Sequence, residues 1–124
     1  MRVFKSAWFE RFARKEKISA EALWDAVQRA GQGQVDADLG GGVIKQRIAR
    51  SGGGKSKGYR SIVLFRKEGR AFFVFGFPKS GQGNIPADEE VQFRKMAKQV
   101  LALSDEQLQW LIDNGQFEEV VKNA

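Results

Sequence analysis

Apolar positions recur with a helical period at both ends of the chain and with a strand period in its middle. Across residues 7–15, Phe9, Phe12 and Ala13 fall at i, i+3 and i+4, and Glu10 and Arg14 are spaced as an i,i+4 ion pair. This predicts a first helix after a short strand at residues 2–5. Ser19 is a suitable N-cap for a second helix, Ile18 and Leu23 are spaced as a hydrophobic staple, and Leu23, Ala26, Val27 and Ala30 form its buried stripe. Gly31 is expected to end that helix, and residues 31–42, rich in Gly, Asp and Gln, read as a connecting loop.

The period then changes to two. Residues 43–50 (VIKQRIAR) place Ile44 and Ile48 on one face of a strand and Lys45 and Arg47 on the other. SGGGKSKG follows as a glycine-rich loop carrying Lys55 and Lys57. The runs YRSIVLFR (59–66) and RAFFVFGF (70–77) are apolar on both faces, as interior strands are, and Lys67-Glu68-Gly69 joins them as an antiparallel hairpin. Pro86 and the acids Asp88, Glu89 and Glu90 mark another helix start, with Phe93, Met96, Ala97, Val100 and Leu101 as its stripe. Ser104 with Gln107 fits a capping box, Leu103 with Leu108 a staple, and Gly115 a helix stop. The expected order is β-α-α-β-β-β-α-α: one α+β domain over residues 1–124, with helices covering one face of a small antiparallel sheet.

Composition narrows the chemistry. With 124 residues and 42% hydrophobic positions, the chain suffices for one core. It has no cysteine and no histidine, which removes disulfides, thiolate nucleophiles, Cys-based zinc sites and the usual general base. No run approaches the ~20 apolar residues of a membrane span or resembles a signal peptide, so a cytoplasmic protein without a membrane partner is expected. Trp8, Trp24 and Trp110 fall on predicted helices, where one could face a partner.

The net charge of +6 is unevenly distributed. Residues 39–80 hold ten basic residues and one acid, a net of +9, while the rest of the chain nets −3. That is the footprint expected for a polyanion partner; the alternative is a solvated sheet face, which normally mixes both signs. GGGKS (52–56) is not a nucleotide-binding loop, because Ala49 stands where the pattern needs glycine and a strand, not a helix, follows.

Three groups of cations can converge if the three middle strands are neighbours: Lys45 and Arg47, with Arg50 beyond them; Lys55, Lys57 and Arg60; and Lys79. Such a cluster can bind RNA phosphates, and Tyr59 and Phe77 could stack on bases, although core packing is the commoner role for either ring. It can also cleave RNA without a metal or other cofactor, by attack of the ribose 2′-OH on the adjacent phosphorus. Crowding among cations lowers the proton affinity of a lysine, which makes Lys55 or Lys57 the candidate base. Arg47 and Arg60 are candidate phosphate clamps, and Lys79 a candidate acid or second clamp. Phosphate binding without chemistry is the simpler alternative.

The segments LGGGVIKQRIA (39–49), GKSKGYRSIVLF (54–65) and FFVFGFPKSGQGNI (72–85) resemble the RelE/ParE superfamily of toxins, most closely its HigB-like branch. The combination G-K-x-x-G-Y-R-x-I, then an aromatic strand ending near a lysine and Asn-Ile, carries the resemblance. It implies the toxin of a type II toxin–antitoxin pair, silenced by a cognate antitoxin expected to be a helix-turn-helix DNA-binding protein. It also implies cleavage of mRNA, commonly on the ribosome, by basic residues, with Lys55, Lys57, Arg60, Arg47 and Lys79 as the matching positions. Many RelE-like toxins have a functional tyrosine near the C-terminus; the only tyrosine here is Tyr59. A gyrase-directed toxin of the ParE type and a non-catalytic RNA-binding relative are the competing functions.

Overall fold

The structure is a computed structural model that describes residues 1–50, 54–78 and 85–122, without the side chains of Arg50 and of residues 54–57. Its elements are β1 (Arg2–Ser6), α1 (Ala7–Glu16), α2 (Ala20–Gly31), β2 (Ala37–Gly40), β3 (Val43–Arg50), β4 (Gly54–Arg66), β5 (Arg70–Pro78), α3 (Ala87–Val100), α4 (Asp105–Asp113) and β6 (Phe117–Glu119). The fold is α+β, as the periodicity predicts.

Side-chain caps set the helix limits. The hydroxyls of Ser6, Ser19 and Ser104 accept from the backbone N–H groups of Phe9, Ala22 and Gln107. Gln107 answers by accepting from the Ser104 N–H, which completes the capping box. Gly115, at φ 78°, is the left-handed residue that stops α4. Gly31 remains helical, and Gln32 caps α2 instead.

The strands form one sheet in the order β2-β3-β4-β5-β1-β6. The expected antiparallel core β3-β4-β5 is present, but the sheet is mixed, because β1 runs parallel to β5. Two further strands were not expected: β2, inside the segment read as loop, and β6, which pairs Phe4 with Glu119. Both are too short for alternation to register. β4 also begins earlier than the sequence suggests, so Lys55 and Lys57 lie on a strand and not on a loop.

Helices cover both faces, not one. α1 and α2 bury Phe9, Ala13, Leu23, Ala26 and Val27 against Ile44, Ile48, Val63 and Phe73. α3 and α4 bury Ala97, Val100 and Leu108 against Phe4, Val43, Leu64 and Phe72 on the opposite face. This is why β4 and β5 read as apolar on both sides. Phe72 and Phe73, neighbours pointing to opposite faces, are each fully buried, worth about 1.5–3 kcal/mol apiece relative to exposure. Met96, assigned to the buried stripe of α3, is 39% exposed, because the short side chain of Ala97 takes the contact with the sheet. Among the described residues no helix is long and apolar enough to cross a membrane.

Candidate nucleic-acid interface

The site grows from the register of the three middle strands. Ile44 and Ile48 of β3 point to the α1/α2 face, so Lys45 and Arg47 point to the other, as their alternation predicts. Arg47 stands directly opposite Arg60 on β4, and Arg60 opposite Phe77 on β5. Between Ile62 and Val63 the β4–β5 register shifts, with Val74 as the extra residue of β5. Without that bulge Phe77 would share the face of Phe73; with it, Phe77 joins the α3/α4 face beside Arg60.

One carboxylate holds the cations together. Asp36, just before β2, lies 3.0 Å from Arg60 Nε and 3.8 Å from both Lys45 Nζ and an Arg47 guanidinium nitrogen. Opposite charges at about 4 Å attract by about 1 kcal/mol in water and about 4 kcal/mol in the less polarisable surroundings of a protein surface. The side chains of Lys45, Arg60 and Asp36 are 19%, 13% and 21% exposed, so this cluster lies between those limits. Opposed like charges on neighbouring strands need a counter-ion, and Asp36 supplies it. The four groups together carry a net charge of +2. Arg60 Nη1 is buried and has no hydrogen-bond partner among the described residues.

A buried polar network fixes the segment that bears Asp36. Gln46, 2% exposed, donates through Nε2 to the carbonyls of Ala26 (2.8 Å) and Gln34 (3.0 Å). Ser61 Oγ donates to the Gln46 carbonyl, and the Asp36 N–H donates to the Lys45 carbonyl at 3.0 Å. Beyond Lys45, β3 has no strand on its outer side among the described residues. There Arg29 of α2, itself paired with Asp25, donates to the Arg47 carbonyl at 2.8 Å. A polar groove of about 530 Å³ runs along this edge, lined by Asp25, Arg29, Gln34 and Arg47.

The glycine of the G-Y-R motif also has a steric reason. β3 and β4 shift register between Ile48 and Arg50, and a Cβ on Gly58 would collide with the Ile48 carbonyl oxygen. Only glycine lets the two backbones approach there.

The predicted residues divide accordingly. Lys45, Arg47 and Arg60 converge. Phe77 shares their face but is 5% exposed, packed with Ile85 and Phe75 in the α3/α4-side core. Tyr59 is 4% exposed and points to the opposite face, edge-on to Phe12, with its hydroxyl donating to the Glu16 carbonyl at 3.4 Å. Both rings take the core role in this structure, and neither is presented for stacking. The side chains of Arg50, Lys55 and Lys57, and Lys79 as a whole, lie outside the described residues; the backbones of Arg50 and Gly54 pair where β3 meets the start of β4.

The remaining described cations of the basic segment stand at the far end of the β4–β5 hairpin. Arg66 donates to the Leu101 carbonyl, and Arg70, 6% exposed, donates to the Leu103 carbonyl and Asp105. These two arginines fasten the α3–α4 junction to the sheet. Two residues of the cationic site were missed from the sequence. Asp36 falls just before the basic segment, and Arg29 sits on a helix whose charges look like an ordinary solvated face.

A family model, described as the RelE toxin of the RelE/RelB toxin–antitoxin system, matches residues 1–120. None of the curated proteins matches the chain. With the match spanning nearly its whole length, the chain belongs to the RelE toxin family, whose members are the toxin halves of toxin–antitoxin pairs.

Proposed function

We propose that this toxin is a metal-independent endoribonuclease that cleaves mRNA, on the ribosome, and so arrests translation. In this reading residues 1–124 are a single toxin domain, closest to the HigB-like branch. It acts in the cytoplasm and is silenced by a cognate antitoxin that carries a helix-turn-helix.

The convergence of Lys45, Arg47 and Arg60 on one sheet face carries the proposal, because a net-positive cluster in fixed register is what the phosphates of a polyanion are drawn to. Arg47 and Arg60 clamp the scissile phosphate, Lys45 and Arg50 hold its neighbours, and Lys55 or Lys57 serves as base. The 2′-oxygen bonds to phosphorus while its proton passes to the neutral lysine amine. The bond from phosphorus to the 5′-oxygen breaks, and Lys79 gives that oxygen a proton. The products are a 2′,3′-cyclic phosphate and a free 5′-hydroxyl. Arginine stays charged throughout and stabilises the phosphorane.

The test is to induce the toxin and follow messenger integrity. Rapid cleavage within coding regions supports the proposal. Intact transcripts with DNA damage would favour a gyrase-directed toxin, and intact transcripts with RNA binding alone a non-catalytic relative.

A further inference from the structure

We infer that Asp36 is a positioning residue of this site: its carboxylate holds Arg60 in a close ion pair and offsets one of three clustered charges, so that RNA phosphate meets oriented donors at a moderated net charge. The inference rests on the RNA-cleaving reading and deepens it.

Asp36 is held in place before any ligand arrives. Its own N–H is bonded to Lys45, and the Gln34 carbonyl two residues earlier is bonded to buried Gln46, which is tied in turn to α2. Its grip is unequal. The ion pair with Arg60 Nε, at 3.0 Å, is the shortest of the three, the contacts to Lys45 and Arg47 being 3.8 Å. Asp36 therefore orients Arg60 and only shields the other two. The Arg60 side chain is 13% exposed, and its buried Nη1 has no hydrogen-bond partner among the described residues, so the guanidinium keeps a donor that Asp36 does not use.

A fixed carboxylate among the cations weakens ground-state attraction for phosphate. The arginine it orients gains most when charge builds on the phosphorane oxygens. Asp36 thus lowers RNA affinity and raises the cleavage rate, a split that a merely structural carboxylate would not produce.

The experiment uses the full chain with Asp36→Asn and Asp36→Glu. Binding is measured to a short single-stranded RNA blocked by 2′-O-methylation, over a range of salt, and cleavage is followed on a defined mRNA in a translating extract. Asp36→Asn is expected to bind about 3- to 10-fold more tightly at low salt, with the log–log salt slope steeper by about 0.7, the value for one more neutralised phosphate. Its cleavage falls by roughly 10- to 100-fold, less than the about 10²–10³-fold lost when a transition-state donor is removed outright. Asp36→Glu returns the slope to the wild-type value.

An Asp36→Asn protein with wild-type slope overturns the inference, whatever its rate. Should that variant fail to fold by circular dichroism, Asp36→Ser decides by the same measurement: a steeper salt slope supports the inference and a wild-type slope overturns it. A wild-type protein that does not bind the RNA sinks the functional reading itself, a result distinct from failure of the Asp36 assignment.

Discussion

Arg47 and Arg60 stand directly opposite each other across β3 and β4, and each contacts the carboxylate of Asp36. A cross-strand pair of like charges weakens a sheet by a few tenths to about 1 kcal/mol unless a counter-ion intervenes. Two arginines kept in that arrangement fit a task other than folding. Replacing Arg60 by Ala should leave the melting temperature within a few degrees while messenger cleavage drops by about 10²–10³-fold, as when a transition-state donor is removed. Lys57→Ala, on the same strand, should relieve growth arrest in the same way. Undiminished toxicity in both folded variants would remove the site assignment.

Ionic strength gives an independent measure. With one of their three charges offset by Asp36, Lys45, Arg47 and Arg60 together neutralise two phosphates of single-stranded RNA and contribute about −1.4 to the slope of log affinity against log salt. The triple alanine variant should lose that share of the slope. A slope that does not move in the variant counts against the mechanism.

Much of this was legible in the sequence because it depends on local patterning. The two-residue alternation of VIKQRIAR puts Lys45 and Arg47 on one face whatever lies around the strand, and the Ser19 and Ser104 caps depend only on their own first turns. The parallel pairing of β1 with β5 and the addition of β6 were not legible, since each joins residues far apart in the chain through backbone bonds that any side chain permits. Phe77 and Tyr59 show the same limit. Both were placed on the correct strands, but the bulge at Val74 decides which face Phe77 takes, and the covering of both faces by helices decides its burial. Asp36 was hidden for a related reason: an aspartate in a Gly- and Gln-rich stretch is usually a turn residue, and only the β2–β3 pairing carries it to the arginines.

Gly76 tests how closely α1 lies on the sheet. A Cβ at this position would sit 2.6 Å from Phe12 Cε2 and 3.1 Å from Phe9 Cε2. Both rings are packed against other aromatics, so neither can withdraw cheaply. Gly76→Ala should cost about 1–3 kcal/mol, the usual range for overpacking a core. Denaturant unfolding checks it, and an unchanged midpoint would mean that α1 yields more readily than these contacts suggest.

The outer strand should show a small acid sensitivity. Arg2 holds Glu119 with two bonds of 2.9 and 3.0 Å, which keeps the Glu119 carboxyl below its ordinary range. A depressed carboxyl contributes stability that is complete above its unfolded value, near pH 4.3, and is lost as pH falls through the lower folded value. Both side chains are well exposed, so solvent screening limits the contribution to less than about 1 kcal/mol. Amide exchange in residues 117–119 should therefore accelerate in acid, and Glu119→Gln should remove the acid-dependent part of that change. Equal acid sensitivity in the variant would assign the effect to another carboxyl.

Arg70 separates the cations that hold the fold from those proposed to hold RNA. Its guanidinium is buried and donates at 2.6 Å both to the Leu103 carbonyl, beside the N-cap of α4, and to Asp105. Arg70→Met keeps most of the apolar contact but leaves that carbonyl without its charged donor, at a cost of about 2–3 kcal/mol. For a chain of this size the melting temperature should fall by roughly 10 °C. Arg70 lies at the turn end of the β4–β5 hairpin, opposite Arg66 and so six residues along the strand from Arg60, and RNA affinity below the melting transition should be unaffected. Arg60→Ala should do the reverse, with little loss of stability and a large loss of function. If Arg70→Met weakens RNA binding as much as Arg60→Ala does, the positive field of the whole segment, and not the cluster around Asp36, is what the RNA recognises.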